Sequence, residues 1–150
     1  SGPFYMSKVA VGHMLKQGGG RIIGVTTSID TMYRAGNSPY GPSKAGHEAL
    51  IAMIAEEVEG TGVTSNVLVP GGTADTNMIP VEAEKYRKAM VRPVPPEIMQ
   101  APVVWLASEA SHRINGRRFI AYYWDENLPL EERLEKAGAP AAWPQLGKTW

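Results

Sequence analysis

Two apolar, β-branched segments separated by one long helical segment constrain this sequence more than any other feature. Residues 22–27 read Ile-Ile-Gly-Val-Thr-Thr, an apolar run without alternation, and residues 63–69, Val-Thr-Ser-Asn-Val-Leu-Val, read as a second buried strand. Such runs are typical of strands that a parallel sheet buries on both faces. Residues 40–59 between them are rich in Ala, Leu, Met and Glu, which favour helix. The pattern predicts one βαβ unit.

The rest of the sequence indicates an α/β fold with a parallel sheet of about three strands flanked by helices. Three further helices are predicted over residues 4–16, 81–90 and 96–108, and a third strand is predicted over residues 117–123. In an open parallel sheet, ligands bind at the carboxyl ends of the strands. We therefore expect a binding crevice directly after Thr27 and Val69.

Composition narrows the classes of function. Fifteen basic residues balance fifteen acidic ones, so no net field attracts nucleic acid or an anionic membrane. No apolar run approaches the roughly 18 residues that suggest a membrane span. With no cysteine, thiolate sites and disulfides are excluded, and we expect a cytoplasmic protein. The three histidines lack the paired spacing of a metal site, so no metal is predicted.

Tyr40 and Lys44 lie four residues apart at the start of the predicted central helix. Side chains at this spacing project from one face of a helix. A free phenol holds its proton up to about pH 10, but a nearby ammonium favours the phenolate. The pair is therefore a candidate general acid and base. The alternative is a solvated surface pair, which is the commoner origin of an isolated match.

Thr27 is the last residue of the first predicted strand, so a hydroxyl group ends that strand. It lies thirteen residues before Tyr40. A hydroxyl there can donate to a carbonyl oxygen on which charge develops. The alternative is that Thr26, Thr27 and Ser28 only satisfy backbone groups at the strand end.

Three motifs in order add a family resemblance to these local features. They are Gly-Gly-Arg-Ile-Ile-Gly-Val-Thr-Thr-Ser (19–28), Tyr-Gly-Pro-Ser-Lys-Ala-Gly (40–46) and Asn-Val-Leu-Val-Pro-Gly-Gly (66–72). In this order they resemble the short-chain dehydrogenase/reductase family, over about residues 1–124. The resemblance implies the C-terminal half of a doubly wound Rossmann-like fold. It also implies an NAD(P)-dependent oxidoreductase. Such an enzyme interconverts the carbonyl and alcohol forms of a small-molecule substrate by hydride transfer.

By that resemblance, Tyr40 is the general acid and base at the substrate oxygen. Lys44 supports the phenolate and hydrogen-bonds the nicotinamide ribose, so both residues also contact the cofactor. Thr27 matches the family's catalytic serine; threonine keeps the hydroxyl and adds a methyl group. Ser28 is the alternative for that role.

The turn after the second strand resembles the part of the family that lies under the nicotinamide. The implied cofactor-binding residues there are Pro70, Gly71, Gly72, Thr73 and Thr76. Thr76 resembles the threonine that contacts the carboxamide or phosphate of NAD or NADP. The loop is one residue longer than the usual pattern, so Thr73 is a lesser candidate.

The family's glycine-rich pyrophosphate fingerprint and its cofactor-selecting residue are not found in this sequence. We therefore expect a truncated fragment that is inactive or impaired alone. Residues 1–124 would be the C-terminal part of the Rossmann-like domain, and residues 125–150 a tail acting as substrate lid or subunit contact.

The alternative function is a non-catalytic scaffold that forms oligomers. Apolar residues between Ala45 and Val58 lie on more than one side of the predicted helix, so one sheet cannot cover them all. By the resemblance, this helix pairs across a subunit interface, in a homodimer or tetramer. An uncovered strand over residues 22–27 would also invite pairing with another chain.

Overall fold

The computed structural model describes residues 1–76, 78 and 93–144. The predicted helix over residues 81–90 lies outside the described residues. The helices are α1 (Gly2–Gln17), α2 (Ile29–Met32), α3 (Tyr40–Glu57), α4 (Gln100–Ala107) and α5 (Leu130–Ala137). The strands are β1 (Gly20–Val25), β2 (Val63–Val69), β3 (Thr73–Ala74), β4 (Pro93–Val94), β5 (Arg117–Ile120) and β6 (Gly138–Pro140).

The main sheet has four strands in the order β1-β2-β5-β6. Strands β1, β2 and β5 are parallel, and β6 runs antiparallel to β5. Strands β3 and β4 form a separate two-stranded parallel pair. The predicted α/β class and its three parallel strands are confirmed, and the structure adds an antiparallel fourth strand.

Helices cover both faces of the sheet, which explains why all seven residues of β2 are buried. On one face Ile51 of α3 packs with Val67 and Val69, and on the other Leu106 of α4 packs with Leu68 and Phe119. The polar residues of β2 are buried as well: the Ser65 hydroxyl donates to the Ile51 carbonyl at 2.9 Å, and the Asn66 amide donates to the Ile114 carbonyl at 2.7 Å.

Three predicted boundaries are wrong, and one short helix was missed. The strand predicted over residues 22–27 is β1, which ends at Val25, so Thr26 and Thr27 follow the strand. The strand predicted over residues 117–123 ends at Ile120 and continues as a 3-10 turn, which the Trp124 amide closes by donating to the Ala121 carbonyl at 3.0 Å. The helix predicted over residues 96–108 begins as a 3-10 turn, Pro96–Met99, before α4. The predicted polar loop after β1 contains the short helix α2, which Ser28 caps.

The first part of the tail packs on the chain's own sheet. Helix α5 begins five residues into the predicted tail, and β6 follows it directly and pairs with β5. Trp124 packs against Trp105 and Phe119, with ring centroids 5.1 and 6.1 Å away. A three-residue strand is too short to show a hydrophobic period, so the sequence did not reveal it. In the part of the chain with described coordinates, none of the helices is both long and apolar enough to span a membrane.

Candidate active site

Helix α3 lies against the carboxyl end of β1 and brings Tyr40 and Lys44 to that edge. The Lys44 ammonium donates to the Val25 carbonyl at 3.0 Å. Its nitrogen lies 5.8 Å from the centroid of the Tyr40 ring. The helix comes this close because Gly24 has no side chain; a Cβ there would meet Ile51 at 2.5 Å. The Lys44 contact therefore holds the helix face predicted to carry Tyr40 and Lys44 at the end of β1.

Tyr40 is the first residue of α3 and is half-buried. Its backbone carbonyl accepts from the Ser43 hydroxyl at 2.7 Å, so its main chain belongs to the first turn of the helix. Within residues 1–76, 78 and 93–144, its phenol hydroxyl makes no hydrogen bond. That hydroxyl is free to bond a further group.

The three hydroxyls at the end of β1 have different surroundings. Thr26 is buried and donates to the Glu48 carboxylate at 2.8 Å. Ser28 caps α2, with its oxygen 3.4 Å from the Thr31 amide and 2.8 Å from the Thr31 hydroxyl. Thr27 is half-buried, and its hydroxyl has no partner among the residues that are described. Two of the three hydroxyls thus have structural partners, and Thr27 does not.

A buried ion pair lies behind this strand end. Glu48 of α3 has no exposed surface, and one of its oxygens accepts from an Arg118 nitrogen. The other terminal nitrogen of Arg118 donates to the Thr27 carbonyl at 2.9 Å. Burial lowers the pKa of Arg118, and the Glu48 carboxylate offsets part of that effect. An arginine stays charged at neutral pH even so.

Neither Glu48 nor Arg118 was among the site residues predicted from the sequence. A signal for both was present. Glu48 lies on the helix face that buries Ile51 and Ala55, and Arg118 directly precedes the apolar strand residues Phe119 and Ile120. Two opposite charges at positions of that kind indicate a buried pair, because an unpaired charge there is very costly.

The turn after β2 lies beside the end of β1, since the Thr26 amide donates to the Leu68 carbonyl at 3.2 Å. Gly71 has a φ of 85°, and a Cβ on it would meet Ile120 at 2.5 Å. Both features favour glycine. Thr73 pairs with Pro93 between β3 and β4.

The other residues of this turn have fewer contacts. Gly72 is half-buried, and the Thr76 hydroxyl accepts from the Met78 amide at 3.4 Å. The predicted catalytic and cofactor residues thus follow two neighbouring parallel strands at one edge of the sheet.

Comparison with known proteins identifies the family of this chain. The model of the short chain dehydrogenase family matches residues 1–87, which contain Thr27, Tyr40 and Lys44. The chain belongs to the short-chain dehydrogenase family. The resemblance carried by the three motifs is therefore confirmed at the level of the family.

Members of this family match the chain in sequence and in fold. The 3-oxoacyl-acyl-carrier-protein reductase of Vibrio harveyi is 36% identical over 121 residues, covering 76% of this chain and 49% of the reductase. The chloroplastic NADPH-dependent aldehyde reductase 2 of Arabidopsis thaliana is 30% identical over 134 residues, covering 80% and 46%. The angucycline C-6 ketoreductase LanV, solved with bound NADP, has a TM-score of 0.65 at 25% identity, covering 79% and 47%. The chain spans about half the length of these relatives.

His47 makes the stability of this dehydrogenase chain dependent on pH. Burial lowers the pKa of His47 from 6.5, and the nearby Lys44 ammonium lowers it further. As the pH falls, His47 is therefore protonated at a higher pH in the unfolded chain than in the folded chain. We expect the free energy of unfolding to fall as pH drops below about 6.5, until His47 is also protonated in the folded state. Urea unfolding between pH 7.5 and 5 measures this.

His47→Gln should make that loss of stability smaller, because glutamine binds no proton in either state. His13→Gln, on the exposed surface of α1, is the matched control and should leave the pH dependence as in the wild type. An identical slope for wild type and His47→Gln would contradict the prediction.

Proposed function

We propose that this chain carries the proton-transfer part of an NAD(P)-dependent oxidoreductase that interconverts a carbonyl and an alcohol. The observation that carries the proposal is the position of Lys44, held 3.0 Å from the Val25 carbonyl and 5.8 Å from the Tyr40 ring. An ammonium fixed there stabilises negative charge on a phenol one turn away. The printed names of the three relatives support a carbonyl substrate, since each is a reductase of an oxoacyl group, an aldehyde or a ketone.

In the reducing direction, Tyr40 gives its hydroxyl proton to the substrate oxygen as a new C–H bond forms at the carbonyl carbon. In the oxidising direction, Tyr40 takes that proton back. Thr27 donates a hydrogen bond to the same oxygen and stabilises the charge that develops on it. Ser28 is the less suitable donor, because its oxygen already serves the cap of α2.

NAD or NADP would supply or accept the hydride, and the residues at this edge of the sheet fit its nicotinamide end. An ammonium has three donors, and Lys44 uses one on Val25, which leaves two for ribose hydroxyls. Gly71 packs closely against Ile120 and Tyr122 beside this edge, and Thr73 and Thr76 follow it along the chain. The names of two relatives, which specify NADPH and NADP, favour the phosphorylated form.

We infer that this chain alone binds the dinucleotide weakly, because its sequence lacks the glycine-rich fingerprint that holds pyrophosphate. The proposed organisation remains a partial Rossmann-like domain over residues 1–124 followed by a tail, in a cytoplasmic protein. The share of the relatives' length that the chain covers, about half, supports this view.

A second candidate function is an oligomeric scaffold, because α1 and α3 present apolar side chains to solvent. Among the 16 residues of α1, none is buried. Met6 is 76% exposed, Val9 61% and, on α3, Met53 50%. Strand β1 has one strand neighbour, β2, among the residues described. Large exposed apolar residues on two neighbouring helices are typical of an interaction surface.

Tyr40→Phe should lower kcat by about 10²–10⁴-fold, because it removes the proton donor and leaves the ring in place. Turnover is measured with NADPH and NADH at millimolar concentration, using a 3-oxoacyl thioester and an aliphatic aldehyde as test carbonyls. Tyr5→Phe makes the same change on the exposed surface of α1 and should have no effect. Wild-type protein without turnover under all four conditions would contradict catalysis by this chain alone and favour the scaffold.

Thr27→Val should lower kcat by about 10²–10³-fold, because it removes one hydrogen-bond donor and keeps the shape. Thr27→Ser keeps the hydroxyl and should retain most of the activity. Ser28→Ala should lower kcat much less than Thr27→Val does, and should cost about 0.5–2 kcal/mol of stability by removing the cap of α2. Loss of kcat in Ser28→Ala with activity retained in Thr27→Val would assign the role to Ser28 instead.

The scaffold proposal predicts a homodimer or tetramer at micromolar concentration, measured by light scattering after gel filtration. Met53→Lys should shift the mass toward the monomer, because it places a charge in the apolar surface of α1 and α3. Val104→Lys is the matched control: Val104 is 68% exposed but lies on α4, across the sheet. A stable wild-type monomer would contradict an interface at this surface.

A further inference from the structure

Arg118 links two elements of the candidate site, α3 and the end of β1, although it lies on neither of them. It lies on β5, beside the apolar residues Phe119 and Ile120. One terminal nitrogen contacts the Glu48 carboxylate on α3, and the other donates to the Thr27 carbonyl after β1 at 2.9 Å. A planar guanidinium holds two acceptors in a fixed relative geometry, which a lysine ammonium on a flexible stem cannot do. The contact therefore fixes α3 and the end of β1 with respect to each other.

Stability alone is a poor explanation for this ion pair. Glu48 is fully buried, and its second oxygen, Oε1, has no hydrogen-bond partner among the described residues. Removing two charges from water costs as much as their attraction returns, or more, unless all their hydrogen bonds are made. Apolar residues of similar volume would fill the same space at equal or lower cost. The pair is better explained by the geometry that it imposes.

The anchored groups surround Thr27 on both sides along the chain. Before it, the Thr26 hydroxyl donates to Glu48 at 2.8 Å. After it, Ser28 is fixed by its cap on α2. The carbonyl of Thr27 itself is held by Arg118. The backbone of Thr27 is thus fixed by three contacts, while its hydroxyl stays free of protein partners among the described residues.

We propose that Arg118 and Glu48 are positioning residues that hold the Thr27 backbone so that its hydroxyl keeps one direction toward the substrate oxygen. Neither residue touches the substrate. Because threonine is β-branched, its side chain has few rotamers once the backbone is fixed. The inference rests on the role proposed above for Thr27, and two kinds of measurement separate them.

The first measurement is the side-chain rotamer of Thr27 in solution, from three-bond NMR couplings to its methyl carbon. Wild-type protein should show one χ1 rotamer. Arg118→Lys keeps a positive charge beside Glu48 but loses the second arm, so it should give averaged couplings at Thr27. Thr64 on β2 is the internal control and should be unchanged. Averaged couplings at Thr27 in the wild type would overturn the inference, whichever variants fold.

The second measurement is kinetic and uses the conditions given for Tyr40. Arg118→Lys should lower kcat by about 10- to 100-fold with KM unchanged, because misplacement of a donor weakens the transition state and not the binding of substrate. The double variant Glu48→Met, Arg118→Met leaves no unpaired buried charge and should show the same loss of kcat in a folded protein.

The outcomes separate this inference from the proposed function. Full kcat and a single Thr27 rotamer in folded Arg118→Lys or in the double variant would overturn the positioning role, even where Tyr40→Phe abolishes turnover. Wild-type protein without turnover would contradict the proposed function alone, and the couplings at Thr27 would then decide the positioning role.

Discussion

The packing of α3 across β1 and β2 is the constraint on which the rest of this structure depends. That helix supplies Tyr40 and Lys44 to the edge of the sheet, Ile51 to the core and Glu48 to the buried ion pair. It can lie so close to the sheet because Gly24 has no side chain. The apolar core, the buried charges and the candidate site therefore share one interface, and a shift of α3 would disturb all three.

The charged residues at this interface differ in how far they are buried. Lys44 is half-buried and bonds a backbone carbonyl, so its charge remains available to groups at the surface of the site. Glu48 and Arg118 are buried and face each other, so their charges largely cancel. The positive charge near the Tyr40 phenol is thus that of Lys44, while the nearby Arg118 is paired with Glu48. The same low-dielectric surroundings that make buried charges costly also make their pairing specific.

Much of the fold was predictable, because the elements with a strong local pattern are those buried on two faces. Strand β2 and helix α3 were found from apolar continuity and composition, and the structure confirms them. Shorter elements were not found. Helix α2 has four residues and depends on its cap at Ser28, and β6 has three residues and depends on pairing with β5. Elements of that length have no period of their own and form because a neighbour accepts their hydrogen bonds.

For the site, the sequence by itself determined which chemical groups are available and their order. Tyr40 and Lys44 share a helix face by spacing alone, and Thr27 lies just after a strand by position alone. Only the tertiary structure decided which hydroxyl keeps a free oxygen and which serves a cap or a carboxylate. It also brought Arg118 to Thr27, 91 residues apart in the chain. The reason is physical: helical spacing is a property of neighbouring residues, whereas a buried ion pair exists only after three distant elements exclude water from it.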